Sequence, residues 1–200
     1  MRRGKPTGPI IYVAALGALM IAMLGFVVSS DAALKGFSTA TAFTARWSVL
    51  WFAAAWSASS LAKLWPGGWR GWLLYNRRGV GLGFAFAHFI HAYFFLGAIL
   101  VFGHQTTLTT VLGGGIGYVF VAAMALTSND WAVRKLGANW KRLHTLGGYV
   151  IAFIFAFTYY GRIAHQQPLI GAYGLLVLGG AAALKVAAFA KSSARQPKLA

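Results

Sequence analysis

The stretch Arg77-Arg78-Gly79-Val80-Gly81-Leu82-Gly83-Phe84-Ala85-Phe86-Ala87-His88-Phe89-Ile90-His91-Ala92-Tyr93-Phe94-Phe95 decides the fold. Two arginines open it and an almost wholly apolar run follows. With its continuation to residue 102 the run can cross a hydrocarbon core of about 30 Å, which takes about 20 helical residues. Two histidines lie inside it. A histidine in hydrocarbon is costly without a partner, so both are functional candidates.

The rest of the chain has the same grain. Of its 200 residues 58% are hydrophobic and 10% are charged, where a soluble domain carries about 25% charged residues. So little charge cannot cover a water-facing surface, and lipid must be the solvent. The net charge is +16, the acids are Asp31 and Asp130, and there is no Glu. On a soluble protein that balance would suggest nucleic acid. Here the basic residues stand between apolar runs and report membrane orientation, so no nucleic-acid partner is expected. The lack of cysteine excludes disulfides, iron–sulfur clusters and thiolate metal sites.

Apolar runs at residues 9–30, 46–64, 80–102, 107–127, 143–160 and 169–190 predict an all-α membrane protein. They form one six-transmembrane-helix bundle and a single domain over residues 1–200, with no internal repeat. A cleavable signal peptide is the rival reading of the first run. That run exceeds the usual apolar region of about 7–15 residues, so a retained helix is expected. Residues 31–45 read as a small-residue loop. Trp65, Trp69 and Trp72 sit among cations, as the headgroup region favours. Placing the amino terminus in the cytoplasm leaves only Lys35, Arg46 and Arg162 of the 18 basic residues outside. Both termini are therefore expected to be cytoplasmic.

Five histidines carry the chemistry: His88, His91, His104, His144 and His165. His88 and His91 lie about 60° apart around one helix. His144 follows Trp140-Lys141-Arg142-Leu143 at the cytoplasmic start of the fifth span. Neutral imidazole is a ligand for iron, and a haem in a bundle takes its axial ligands from facing helices. The third and fifth spans are the ones with interior histidines. The expectation is a haem between them, with His144 on one side and His91 or His88 on the other. At 1.5 Å per residue His88 lies about 12 Å in from Val80, His91 about 16 Å, and His144 about 7 Å in from Asn139, which mildly favours His88. The plain alternative is that these histidines are hydrogen-bonded packing residues. His104 and His165 read as solvated turn residues. Arg77 and Arg78 read either as positive-inside anchors or as ligands of haem propionates or a flavin phosphate. The run Gly79 to Gly83 has no preceding strand and is not a dinucleotide loop.

Several motifs, in chain order, resemble the ferric reductase-like transmembrane family, in particular the haem-binding subunits of sulfoxide reductase systems. They are Phe43-Thr44-Ala45-Arg46, then Arg77-Arg78 with Gly81-Leu82, Phe84-Ala85 and His91, then Leu126-Thr127-Ser128. Arg134-Lys135-Leu136-Gly137, Trp140, Leu143-His144, Tyr149 and Gln167-Pro168-Leu169-Ile170 follow. The resemblance covers most of the chain. It implies six helices holding haem b, with His91 and His144 in ligand positions. It also implies electron flow from a cytoplasmic flavin such as FMN, or from a membrane quinol, to a soluble periplasmic partner, in a bacterial inner membrane. The family carries one further histidine on the fifth span where this chain has Phe157. A rival reading is a ferric or other metal-ion reductase, but the outer face offers a cation only Asp31. A second rival is a non-redox transporter or structural protein.

Overall fold

The computed structural model describes residues 7–29 and 33–194. Asp31, and the terminal cations that entered the charge pattern (Arg2, Arg3, Lys5, Arg195 and Lys198), lie outside the described residues. The described chain is helical, without a strand: α1 (Gly8–Val28), α2 (Ala33–Leu64), α3 (Gly68–Tyr75), α4 (Arg77–Leu100), α5 (Leu108–Leu126), α6 (Asp130–Leu136), α7 (Ala138–Ala164) and α8 (Pro168–Ser193).

Local chemistry sets the helix ends. Proline opens α1 and α8, where its missing N–H costs nothing. The Thr107 hydroxyl accepts from the Thr110 N–H at the start of α5. The Asn129 side chain accepts from the Ala132 N–H at 2.8 Å and caps α6. Gly137, at φ 51°, ends α6 and starts α7 without an intervening loop, a left-handed conformation that glycine adopts freely.

Five helices, α1, α4, α5, α7 and α8, are long and apolar enough to cross a membrane. The second run departs from expectation. It was read as a span over residues 46–64, and it is a 32-residue helix from Ala33 to Leu64. The stretch read as a loop continues the helix because nothing in it stops one, and its side chains have partners. Phe37 packs against Phe26, Phe94 and Phe102. α2 is less apolar than the others because it is the central helix, packed against α1, α3, α4 and α8. It buries a stripe one turn apart: Gly36, Ala40, Thr44, Ser48 and Phe52. Hydroxyls are tolerated there because each bonds its own helix. Thr44 Oγ1 donates to the Ala40 carbonyl at 2.7 Å and Ser57 Oγ to the Ala53 carbonyl at 2.7 Å.

α1 joins this centre by close approach: a Cβ on Gly25 would stand 2.9 Å from the Ala40 nitrogen, so small residues set the helix spacing. α7 starts earlier than the expected residue 143 and runs further than 160. Two short helices stand between the expected spans: α3 in the tryptophan-rich headgroup segment, and α6 in the connection between the fourth and fifth runs.

Cations gather at one end of the bundle. Arg78, at the start of α4, pairs with Asp130 of α6. Lys191 Nζ, late in α8, donates to the Leu64 carbonyl at the end of α2 at 2.7 Å. This basic end also carries the start of α7. Lys35, Arg46 and Arg162 lie away from it. The apolar core between the ends is built from Phe52, Phe84, Val121, Ile151, Phe155 and Leu178.

Candidate functional site

Near the basic end α2, α4, α5, α6 and α7 enclose a cavity of about 200 Å³. Its walls are mostly apolar, with Phe52, Phe84, Val121, Met124 and Ile151 among them. Its polar edge is Arg77, Arg78, Ser128 and His144, and Trp140 and Trp56 flank it. The helix starts explain the grouping. α4 begins on the two arginines, and α7 begins six residues before His144. Both bring their first turns to the same end.

His144 is held on two sides. Its ring stacks on Trp140 with centroids 4.1 Å apart. Its Nε2 lies 3.2 Å from Thr127 Oγ1. The Thr127 hydroxyl proton goes to the Ala123 carbonyl at 2.7 Å, so the threonine oxygen accepts and His144 carries its proton on Nε2. Nδ1 is then the ring nitrogen with a free lone pair. Trp140 is fixed in turn, its Nε1–H donating to the Thr127 carbonyl at 2.8 Å.

His88 and His91 sit one level further in, and neither lines this cavity. His88 is buried among rings: Phe84 at 5.4 Å, Tyr118 at 4.8 Å, His91 at 5.1 Å and Phe155 at 5.3 Å. Its Nδ1 lies 3.1 Å from Ser48 Oγ, whose own proton goes to the Ala45 carbonyl at 3.0 Å. His91 Nδ1–H donates to the Thr41 carbonyl at 3.0 Å, with Thr44 Oγ1 at 3.4 Å. Both rings therefore carry their proton on Nδ1 and leave Nε2 unpaired. Histidines that ligate a metal are oriented this way, by the N–H of the other ring nitrogen.

The sequence pairing of His91 with His144 can now be read against levels. The α7 side chain that meets His88 is Phe155, eleven residues after His144, or about 16 Å further along the helix. His144 and the two α4 histidines thus occupy different levels, separated by Phe84 and Phe155. Phe157 points away from the bundle and is 57% exposed. His104 and His165 are exposed turn residues. Arg77 and Arg78, at the start of α4, line the cavity. Among the described residues no group of three or more His, Cys, Asp or Glu side chains could hold a bare metal ion.

The hydroxyls that orient the rings were not singled out in sequence reasoning. Thr41, Thr44 and Ser48 recur along one face of α2, and that spacing was the available signal. Thr127 and Trp140 were in the motifs, without a role.

The donor set suits a haem iron: three imidazoles, each with one nitrogen tied and one unpaired, and two guanidinium groups beside an apolar cavity for the acid groups of a porphyrin. The chain is similar to the haem-binding subunit MsrQ of protein-methionine-sulfoxide reductase from three bacteria. It is 39% identical over 56 residues to that of Yersinia enterocolitica, a match covering 28% of each chain. It is 38% identical over 71 residues to that of Bordetella pertussis, covering 33% of this chain and 34% of the relative. It is 35% identical over 74 residues to that of Yersinia pseudotuberculosis, covering 36% of each. The match thus spans about a third of the length of these relatives. No family model matches the chain, and no solved structure matches it.

Proposed function

We propose that this chain is a haem b-binding membrane subunit that carries electrons for a reductase, as the names of its relatives suggest. The observation that carries the reading is the state of the three histidines. Each has one N–H engaged by a hydroxyl or carbonyl and one ring nitrogen unpaired, inside a bundle with almost no acids. A buried packing histidine would have both ring nitrogens partnered; a metal ligand is held by one and keeps the other free.

In this reading His144 would hold the haem iron at the cavity level, and Arg77 and Arg78 would take the porphyrin's carboxylates there. His91 is the α4 donor, with His88 beside it. Haem supplies one-electron redox chemistry when bound. The protein's part is orientation and exclusion of water. Thr127 fixes the His144 tautomer, and Ser48, Thr41 and Thr44 fix those of His88 and His91. Phe52, Phe84, Val121 and Ile151 keep the cavity dry.

Charge and composition support the topology, and the resemblance to haem-binding subunits supports the bacterial inner membrane and the redox partners. α2 crosses the membrane with the five more apolar helices, giving six spans. The basic end and both termini face the cytoplasm of a bacterium, and the chain lies in its inner membrane as one domain. The resemblance implies a cytoplasmic flavin or a membrane quinol as the donor and a soluble periplasmic reductase as the acceptor.

A visible spectrum of the purified protein tests this. The reduced bands of a b-type haem are expected. Because the imidazoles stand at two levels, His144→Ala and His91→Ala should each remove a distinct fraction of the haem, and His88→Ala should only shift the bands. Unchanged haem content in all three variants would refute the assignment, and a haem-free wild type would return the chain to the transporter reading.

A further inference from the structure

Arg46 was read as a cation at the outer start of the second span, and the structure moves it. It lies thirteen residues into α2. Its level is fixed by α1: Gly25 packs on Ala40, and the Trp47 indole N–H donates to the Ala14 carbonyl at 2.9 Å. Arg46 is therefore level with the middle of α1, about 15 Å from either end of that helix at 1.5 Å per residue. Its guanidinium leans back one turn over the Phe43 ring, 5.3 Å from the centroid. Its own carbonyl accepts from the Tyr173 hydroxyl at 3.0 Å. Among the described residues the guanidinium has no hydrogen bond and no ion pair.

That group opens onto a groove of about 270 Å³ lined by Ile21, Phe43, Arg46, Trp47, Leu50 and Tyr173. The groove lies between α1, α2 and α8, on the side of α2 away from the histidines. It is apolar except for the arginine and the tyrosine. A cation at such depth is disfavoured unless an anion or headgroup reaches it, and Arg is suited to phosphate through bidentate hydrogen bonds.

We propose that this groove binds one anionic phospholipid, with its phosphate on Arg46 and an acyl chain along Ile21 and Leu50. The occupant follows from charge: among the described residues the guanidinium has no counter-ion, and the surrounding walls suit hydrocarbon. The site is independent of haem.

The test uses the full chain in mild detergent. Native mass spectrometry should find one retained phospholipid, absent from Arg46→Gln. Added dioleoylphosphatidylglycerol should raise Tm by about 2–8 °C, while dioleoylphosphatidylcholine and inorganic phosphate should not. Leu50→Trp fills the groove but leaves the arginine in place, so it should abolish the shift, and it serves if Arg46→Gln does not fold. An equal shift in wild type and Leu50→Trp would overturn the proposal. So would an equal effect of phosphatidylcholine, a shift with inorganic phosphate alone, or retention of a quinone instead of a phospholipid.

Discussion

The His144 cavity and the His88–His91 cluster offer the same side chain in opposite settings. At the cavity a half-buried imidazole rests on one indole and one hydroxyl, and it faces empty space rimmed by two arginines. At the cluster two imidazoles are closed in by Phe84, Tyr118, Phe155 and Phe95, with serine, threonine and carbonyl partners on the inner side. One region has room and charge, and the other has positioned donors without room. Oriented donors alone do not make a cofactor site, because a planar group needs a slot as well. The cavity can take a ligand edge with little movement. The cluster can take one only if Phe84 or Phe155 turns aside.

The largest expected effect separates the two regions by filling one. A Cβ on Gly148 would stand 3.1 Å from the Trp56 indole nitrogen, so a larger side chain there has to extend into the cavity. Gly148→Leu should reduce the His144-dependent haem at least roughly tenfold, which is about 1.4 kcal/mol of binding. It should spare the His91-dependent fraction. Haem content and the visible spectrum measure both. If the two fractions fall together, the levels are one site and the contrast fails.

A smaller effect compares the supporting hydroxyls. Ser48→Ala leaves a buried His88 N–H without an acceptor, and such a loss costs about 1–3 kcal/mol. Thr127→Val removes the corresponding partner of His144, but near the mouth water can replace it, so the loss should stay below about 1 kcal/mol. Unfolding of the two variants in one detergent gives the comparison. Equal losses would mean that the cavity is as dry and as closed as the cluster.

Much of this was legible in the sequence, and the limits have physical causes. Five of the apolar runs became membrane-length helices with ends close to those expected, because hydrophobic length is a local property. The start of α2 was not legible, since a helix shielded by four neighbours can carry Ser and Thr that a lipid-facing helix could not. That misplacement hid the depth of Arg46 and the Thr41 and Thr44 partners of His91. Arg77, Arg78 and His144 were candidates in the sequence, and the structure gathers them along the edge of one cavity. The level of His144 relative to the α4 histidines was not legible, because it depends on how far α7 slides along α4, and Phe155 against His88 records that slide.

The smallest expected effect concerns the mouth of the cavity. Arg78 lines it and also pairs with Asp130 on α6, so the carboxylate competes with any anion entering the cavity. The hydrogen bond from Arg78 holds the Asp130 carboxyl below its ordinary value. A depressed value means that the pair is formed above the ordinary carboxylate range and is lost only as pH falls through the lowered value. Between about pH 5 and 8 the competition is therefore constant. Asp130→Asn should release the guanidinium and tighten haem binding by about threefold or less, since an exposed pair is weak. Arg78→Gln should weaken binding instead. Titrating haem into apoprotein at pH 7 measures both. Opposite signs for the two variants mean that Arg78 is shared between Asp130 and the ligand. Weakened binding in both would mean that Asp130 instead holds α6 against the cavity as part of its wall.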